Sequence, residues 1–173
     1  MTPEFPNPPS ELRWYAIRTR SRHEKRVHEQ LAGRQEIEAF LPLWERRSRW
    51  KDRIKRIQVP LFPGYCFARF RYADRLRVLK AFGVVDLVGP GGDPEPIPEG
   101  EMAAIHALVG SGLAYEPFPF LAEGMEVEVN RGPMLGVRGR LLRKDRGIRV
   151  VLSVTSIRQS VSVEIDATDV TPL

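Results

Sequence analysis

Two short apolar runs joined by Pro63-Gly64 make up the segment Val59-Pro60-Leu61-Phe62-Pro63-Gly64-Tyr65-Cys66-Phe67-Ala68-Arg69-Phe70. Proline fixes φ and lacks an N–H, whereas glycine permits positive φ, so we expect a tight turn between the runs. From Tyr65 the side chains alternate as in a half-buried strand, with aromatic rings on one face. Taken alone, such a strand is most simply a strand of the core.

The composition is that of an ordinary folded protein. The 173 residues suffice for one domain or two small ones, and 42% of them are hydrophobic. The net charge of +5 suggests a polyanionic partner, although only weakly. The single cysteine, Cys66, excludes an intrachain disulfide and fits a reducing cytosol. No apolar run approaches the roughly 20 residues of a membrane-spanning helix, so we expect a cytoplasmic protein without a membrane partner.

The front half alternates strands and helices. Four prolines in residues 1–12 predict a flexible leader. A strand follows at 13–18, then a helix to about Ala32 that begins with a capping box, Ser21 and Glu24. Further strands are expected at 37–43 and 84–88, and further helices at 73–82 and 98–109. We predict an α+β fold, with an antiparallel-rich sheet and helices over residues 13–110.

The stretch 44–58 is dominated by cations and carries Trp44 and Trp50. A β-hairpin with its tip at 50–53 fits this stretch. Charge runs are often no more than exposed surface. Arginine forks beside an aromatic tip also suit a nucleic-acid backbone and exposed bases. The second interpretation predicts nucleic-acid contacts from Arg47, Arg49, Lys51 and Arg53.

The last third of the chain predicts a small β domain. Residues 111–122 contain Gly112, Pro117 and Pro119, show no regular pattern and are expected to form a linker. Short alternating segments follow at 125–129, 137–142, 148–154 and 161–165, and β-branched residues dominate the last two. Several short strands in so few residues predict a small β-barrel over 123–173, which closes its own edges.

No catalytic or metal site is expected. His23 and His28 are five residues apart on one helix, which is not a metal-ligand spacing, and His106 has no suitable acidic neighbours. Cys66 lies in an apolar strand and is expected to be a buried, inert thiol. The residues therefore favour a binding protein rather than an enzyme, and no cofactor is predicted.

Three separate pieces resemble the NusG family of transcription elongation factors, in the family's order. They are Trp14-Tyr15 opening the first strand, Leu61-Phe62-Pro63-Gly64-Tyr65, and Val129-Asn130-Arg131-Gly132-Pro133 followed by Gly139, which resembles a KOW motif. The resemblance spans roughly residues 13–170. It implies a NusG-type N-terminal domain (13–110), a linker (111–122) and a C-terminal KOW barrel (123–173).

The resemblance also implies partners. In the family, an apolar hollow binds the clamp helices of the large RNA polymerase subunit, which assigns polymerase contacts to Trp14, Tyr65, Phe67 and Leu87. Arg20 and Arg34 match the surface with which RfaH contacts non-template DNA. The basic arm and residues 157–166 resemble the specialised UpxY and RfaH-like antiterminators. The implied function is a monomeric factor that bridges the polymerase cleft, contacts non-template DNA or nascent RNA, and suppresses pausing or termination at specific operons.

Ile157 occupies the position where the housekeeping factor presents an aromatic residue to a ribosomal protein and to the Rho terminator. The resemblance therefore assigns Ile157 to partner binding, implies a weak contact with Rho, and leaves coupling to the ribosome open. The alternative is a KOW-type RNA-binding or ribosome-binding module that acts in translation, which the basic charge would also serve.

Overall fold

The structure is a computed structural model and describes residues 9–121, 123–144 and 147–173. These described residues divide into two compact units, the first drawn from 9–41 and 62–98 and the second from 42–61 and 99–173. The strands and helices, in chain order, are β1 (Leu12–Thr19), α1 (Glu24–Ala32), β2 (Glu38–Phe40), β3 (Leu43–Trp50), β4 (Arg53–Pro60), β5 (Tyr65–Arg71), α2 (Arg75–Leu79), β6 (Val84–Leu87), α3 (Glu99–Val109), β7 (Tyr115–Phe118), β8 (Glu126–Val129), β9 (Arg138–Lys144), β10 (Gly147–Val154), β11 (Gln159–Ile165) and β12 (Val170–Pro172).

The first unit is built on a four-stranded antiparallel sheet in the order β2-β5-β1-β6. One face of this sheet forms a core with Val27 and Leu31 of α1, because alternate residues of β1 and β5 point to that side. Tyr15 and Phe70 are neighbours in this core, with ring centroids 4.7 Å apart. The expected antiparallel-rich sheet with helices is confirmed for this unit.

Glu24 connects α1 to the Pro63-Gly64 turn. Its side chain is buried and accepts the backbone N–H of Gly64 at 2.8 Å, where Gly64 adopts φ 86°. The predicted capping box is wrong, because α1 begins at Glu24 with His23, not Ser21, as its N-cap residue, and the His23 side chain makes no capping hydrogen bond. The carboxylate instead satisfies a backbone donor of the turn, which positions the start of β5.

A two-stranded antiparallel hairpin, β3–β4, belongs to the second unit. Its register runs from Leu43 opposite Pro60 to Trp50 opposite Arg53, so the predicted tip is confirmed. Lys51 takes the left-handed conformation there, with φ 50°. The hairpin presents two side-chain faces, because successive residues of a strand point to opposite sides.

The second unit also contains a six-stranded sheet in the order β12-β8-β9-β10-β11-β7. Strand β7 lies within the predicted linker, so the expectation that 111–122 lacks regular structure is wrong for Tyr115–Phe118. Arg149 helps to hold β7 against β11, since its guanidinium forms ion pairs with Glu116 of β7 and with Glu164 of β11. The domain boundaries and the closure of this sheet into a barrel stay predictions.

Gly139 of β9 lies where a side chain cannot be accommodated. A Cβ atom there would lie 2.6 Å from Val150 Cγ1 and 2.8 Å from the carbonyl oxygen of Val151. We expect Gly139→Ala to lower the free energy of unfolding by about 1–3 kcal/mol, because the clash includes backbone. Urea denaturation checks this value. The matched change Gly100→Ala adds the same methyl group in α3, where no atom lies within 4 Å of the new Cβ, and should not lower the free energy of unfolding.

Candidate functional site

One face of the first sheet carries a cluster of aromatic rings. Directly opposite residues of antiparallel strands share a face, so Tyr65 lies beside Arg18, and Phe67 lies between Ala16 and Phe40. The ring centroids of Phe67 lie 6.4 Å from Phe40 and 6.0 Å from Phe62, the latter edge-on. Trp14 meets Phe40 edge-on at 6.2 Å. We call Trp14, Phe40, Phe62, Tyr65 and Phe67 the aromatic face.

The four residues assigned to polymerase contacts differ in exposure, and their assignment stays a prediction. Phe67 is 0% exposed and Trp14 is 6% exposed, whereas Tyr65 is half-buried. Leu87 does not lie beside them, because it pairs with Ile17 and is buried in the core on the opposite side of the sheet. Of the four assigned residues, Tyr65 has the accessible side chain in this structure.

A second cluster surrounds Phe82, which is 51% exposed. The guanidinium of Arg26 lies 4.5 Å from the ring centroid and that of Arg20 lies 5.8 Å from it. The Gln30 amide donates to the carbonyl oxygen of Phe82 and accepts a hydrogen bond from the Phe82 backbone N–H. These two bonds hold the Phe82 backbone in place. Arg34 lies two residues after the end of α1 and donates to the carbonyl oxygen of Arg77. The structure therefore groups Arg20 with Phe82, which lies within the helix predicted at 73–82 but follows the end of α2 at Leu79.

The β3–β4 hairpin is the most cationic feature of the described chain. Its first face carries Glu45, Arg47, Arg49, Ile54, Arg56 and Gln58, and its second face carries Arg46, Ser48, Trp50, Arg53, Lys55 and Ile57. Arg46, Arg47, Arg49, Lys51 and Arg53 are exposed and make no ion pair with any residue that the structure describes.

The hairpin tip combines charge with an aromatic ring. Trp50 is 58% exposed, and the Lys55 Nζ lies 4.9 Å from its ring centroid. The four assigned cations are divided, since Arg47 and Arg49 are on the first face, Arg53 is on the second, and Lys51 is in the turn. Arg46, Lys55 and Arg56 belong to the same surface but were not assigned to it, although the charge run contained them.

Ile157 does not form a surface anchor. It lies in a short 3₁₀ turn between β10 and β11 and is buried. The adjacent Arg158 is exposed, adopts φ 50° and ψ 47°, and places its guanidinium 4.6 Å from the Phe120 ring centroid. The structure places the Ile157 side chain in the interior, and its assignment to partner binding stays a prediction.

The thiol of Cys66 is buried in β5. Burial raises the pKa of the Cys66 thiol to about 12. Because the thiolate is the nucleophile, we expect iodoacetamide at pH 8 to leave Cys66 unmodified in the folded chain and to modify it fully in urea. Mass spectrometry measures the modified fraction. Rapid modification without denaturant would contradict the burial.

Among the residues that the structure describes, the His, Cys, Asp and Glu side chains form no group of three or more that could hold a metal ion. None of the helices in the same ranges has the length and apolar character needed to cross a membrane.

The family model described as "Transcription termination factor nusG" matches residues 12–106, which is more than half of the chain. The chain belongs to the NusG family. The hairpin, the aromatic face and the Phe82 cluster all lie within the matched residues.

Two relatives extend the NusG likeness beyond the matched segment. The chain is 26% identical over 167 residues to the "Transcription termination/antitermination protein NusG" of Lactococcus lactis subsp. lactis (strain IL1403), covering 88% of this chain and 89% of that protein. A solved structure, "Domain interaction in Thermotoga maritima NusG", matches with a TM-score of 0.58 and 22% identity, over 94% of this chain and 98% of that one. The second likeness shows a NusG-like fold.

Membership of the NusG family places the chain among transcription termination and antitermination factors, which are not enzymes. The family resemblance drawn from Trp14-Tyr15 and the Pro63-Gly64 segment is thereby confirmed, whereas the KOW motif at 129–139 and the likeness to specialised paralogues stay predictions. The family match confirms the prediction that the chain is a transcription factor.

Proposed function

We propose that this NusG-family chain is an elongation and antitermination factor that binds the clamp helices of RNA polymerase and bridges the cleft. It contacts non-template DNA or nascent RNA through the β3–β4 hairpin. It suppresses pausing or termination by binding the elongating state more tightly than the paused one, which requires no catalysis. It acts as a monomer at specific operons, as specialised UpxY and RfaH-like paralogues do. The 13–110 domain performs this binding, and 123–173 is a KOW barrel.

The proposed nucleic-acid contact rests on the charges of the β3–β4 hairpin. Five exposed cations without an ion-pair partner among the described residues lie on a ribbon that has a tryptophan at its tip. Unpaired like charges repel one another and weaken an isolated ribbon. A polyanion supplies the missing counter-charge, and arginine forks bind phosphate in a bidentate manner. The exposed Trp50 ring adds a surface on which a base can stack.

The Phe82 cluster supports a second nucleic-acid contact. Its ring is held in place by Gln30 and flanked by the guanidinium groups of Arg20 and Arg26. A fixed aromatic ring beside cations suits an unpaired base and its phosphate. In this proposal Arg20 contacts non-template DNA directly, and Arg34 positions α1 against α2.

The polymerase contact is proposed for the edge of the aromatic face at Tyr65. Tyr65 is half-buried and lies opposite Arg18, which pairs with Asp86 at 3.1 Å. An aromatic ring supported by packed neighbours resembles the hot spots of protein interfaces. Phe67 and Trp14 are buried, and in this proposal they do not make the contact themselves.

We expect Tyr65→Ala to lower the affinity for RNA polymerase by about 2 kcal/mol, roughly 30-fold, which is typical of an aromatic hot spot. Tyr65→Phe keeps the ring and is the matched control. Fluorescence anisotropy with purified core polymerase gives both affinities, and circular dichroism shows whether the variants are folded. A folded Tyr65→Ala chain with parental affinity would contradict the assignment.

The function as a whole is tested by affinity capture from a lysate of the organism that encodes the chain. We expect core RNA polymerase to be retained, and treatment with nuclease to leave that retention in place. Retention of ribosomes without polymerase would instead support a module that acts in translation.

A further inference from the structure

Two arginines oppose each other on the first face of the hairpin. Arg47 and Arg56 are direct cross-strand partners, an arrangement in which like charges destabilise the ribbon. The carboxylate nearest to them in the hairpin register, Glu45, lies 3.7 Å from Arg56 Nε. Arg47 makes no ion pair within the described ranges. The Arg47–Arg56 pair is therefore only partly neutralised by the protein itself.

A pocket of about 450 Å³ lies against this pair. Its walls are Glu45, Arg47, Arg56, Gln58 and the segment 112–115. That segment is fixed to the base of the hairpin, because the Tyr115 hydroxyl donates to the carbonyl oxygen of Leu43 at 2.6 Å. Both walls belong to the same compact unit. The pocket thus combines a defined volume with two guanidinium groups, one amide and one carboxylate.

We propose that this pocket binds a phosphate group, carried by a nucleic-acid backbone or by a free nucleotide. A phosphate between Arg47 and Arg56 offsets their repulsion and accepts hydrogen bonds from both forks. Glu45 competes with the phosphate for Arg56 and so weakens binding. The polymer form of the ligand rests on the function proposed above, whereas binding of the phosphate group itself does not.

The first experiment titrates the full chain with inorganic phosphate, with chloride at equal ionic strength as the reference, and follows backbone amide shifts by NMR. We expect saturable shifts in 45–58 and 112–115 with phosphate alone. Arg47→Glu should weaken phosphate binding at least about tenfold, because it replaces a fork with a carboxylate. Its melting temperature should be unchanged or higher, since the introduced carboxylate would face Arg56 as an opposite charge.

Two matched variants sharpen the result. Arg46→Glu makes the same charge change on the second face, opposite Ile57, and should alter phosphate affinity by no more than about twofold. Glu45→Gln removes the competing carboxylate and should tighten phosphate binding about threefold. Equal losses in Arg46→Glu and Arg47→Glu, or shifts no larger with phosphate than with chloride, would overturn the proposal.

Two further titrations distinguish a backbone phosphate from a free nucleotide. One uses adenosine monophosphate and the other a short single-stranded oligonucleotide. Tighter binding of the oligonucleotide, lost in Arg47→Glu, assigns the site to a backbone phosphate. Equal binding of both assigns it to a free nucleotide. Neither titration contains polymerase, so a chain that binds phosphate but fails to bind polymerase would retain this inference and lose the proposed function.

Discussion

Phe67→Ala is expected to lower the free energy of unfolding by about 3–5 kcal/mol, as for other large-to-small changes at buried aromatic residues. The ring is fully buried and contacts Phe40 and Phe62 on the aromatic face. Its removal leaves a cavity beside the small side chain of Ala16, which cannot fill it. Since a domain is typically stable by about 5–15 kcal/mol, this loss is severe.

Equilibrium urea denaturation, monitored by circular dichroism, measures this loss, and Phe67→Leu serves as the matched control because it keeps most of the apolar volume. Tyr65→Ala, on the same face and two residues away, should cost much less stability. If Phe67→Ala kept parental stability and lost only polymerase binding, the ring would act at a surface. The assignment of Phe67 to the polymerase interface would then be restored.

The second large effect is electrostatic. Replacing Arg47, Arg49, Lys51 and Arg53 by serine should lower the salt dependence of nucleic-acid binding by about three to four units of the log–log slope, close to 0.9 for each lost phosphate contact. The loss should be similar for all sequences, because phosphate contacts carry no base information. Filter binding of one oligonucleotide at several salt concentrations gives the slope.

A matched control removes four exposed cations from the second unit outside the hairpin, at Arg131, Arg138, Arg143 and Arg158. This variant has the same net charge as the hairpin variant. Its slope should stay near that of the parent. Equal slopes in the two variants would indicate that the hairpin is merely an exposed charged ribbon.

The hairpin could be predicted from the sequence because its information is local. Charged residues recur over 44–58, and Lys51-Asp52 separates two strands of equal length. The aromatic face was predicted less well. Alternation shows that Phe67 and Tyr65 share a face, but it cannot show which ring other residues cover. Leu87 was misplaced because its face depends on pairing with Ile17, 70 positions earlier in the chain.

Glu24 and strand β7 show the same limit, because their partners lie far away in the sequence. The spacing of Ser21 and Glu24 fits a capping box, yet the carboxylate accepts the N–H of Gly64, a residue 40 positions away. Pro117 made 111–122 resemble a linker. An edge strand tolerates proline, however, and Arg149 holds β7 to the sheet through Glu116. Long-range partners of this kind leave no periodic signal in the sequence.

The central claim is that the chain modifies transcription elongation by binding RNA polymerase. Its most direct test is single-round transcription by purified polymerase from the same organism, on a template with a pause site and a terminator, with and without the chain. The account predicts shorter pauses and more read-through with the chain present, and a smaller effect with Tyr65→Ala. Pause lifetimes and read-through that are unchanged at saturating concentrations of the chain would contradict it.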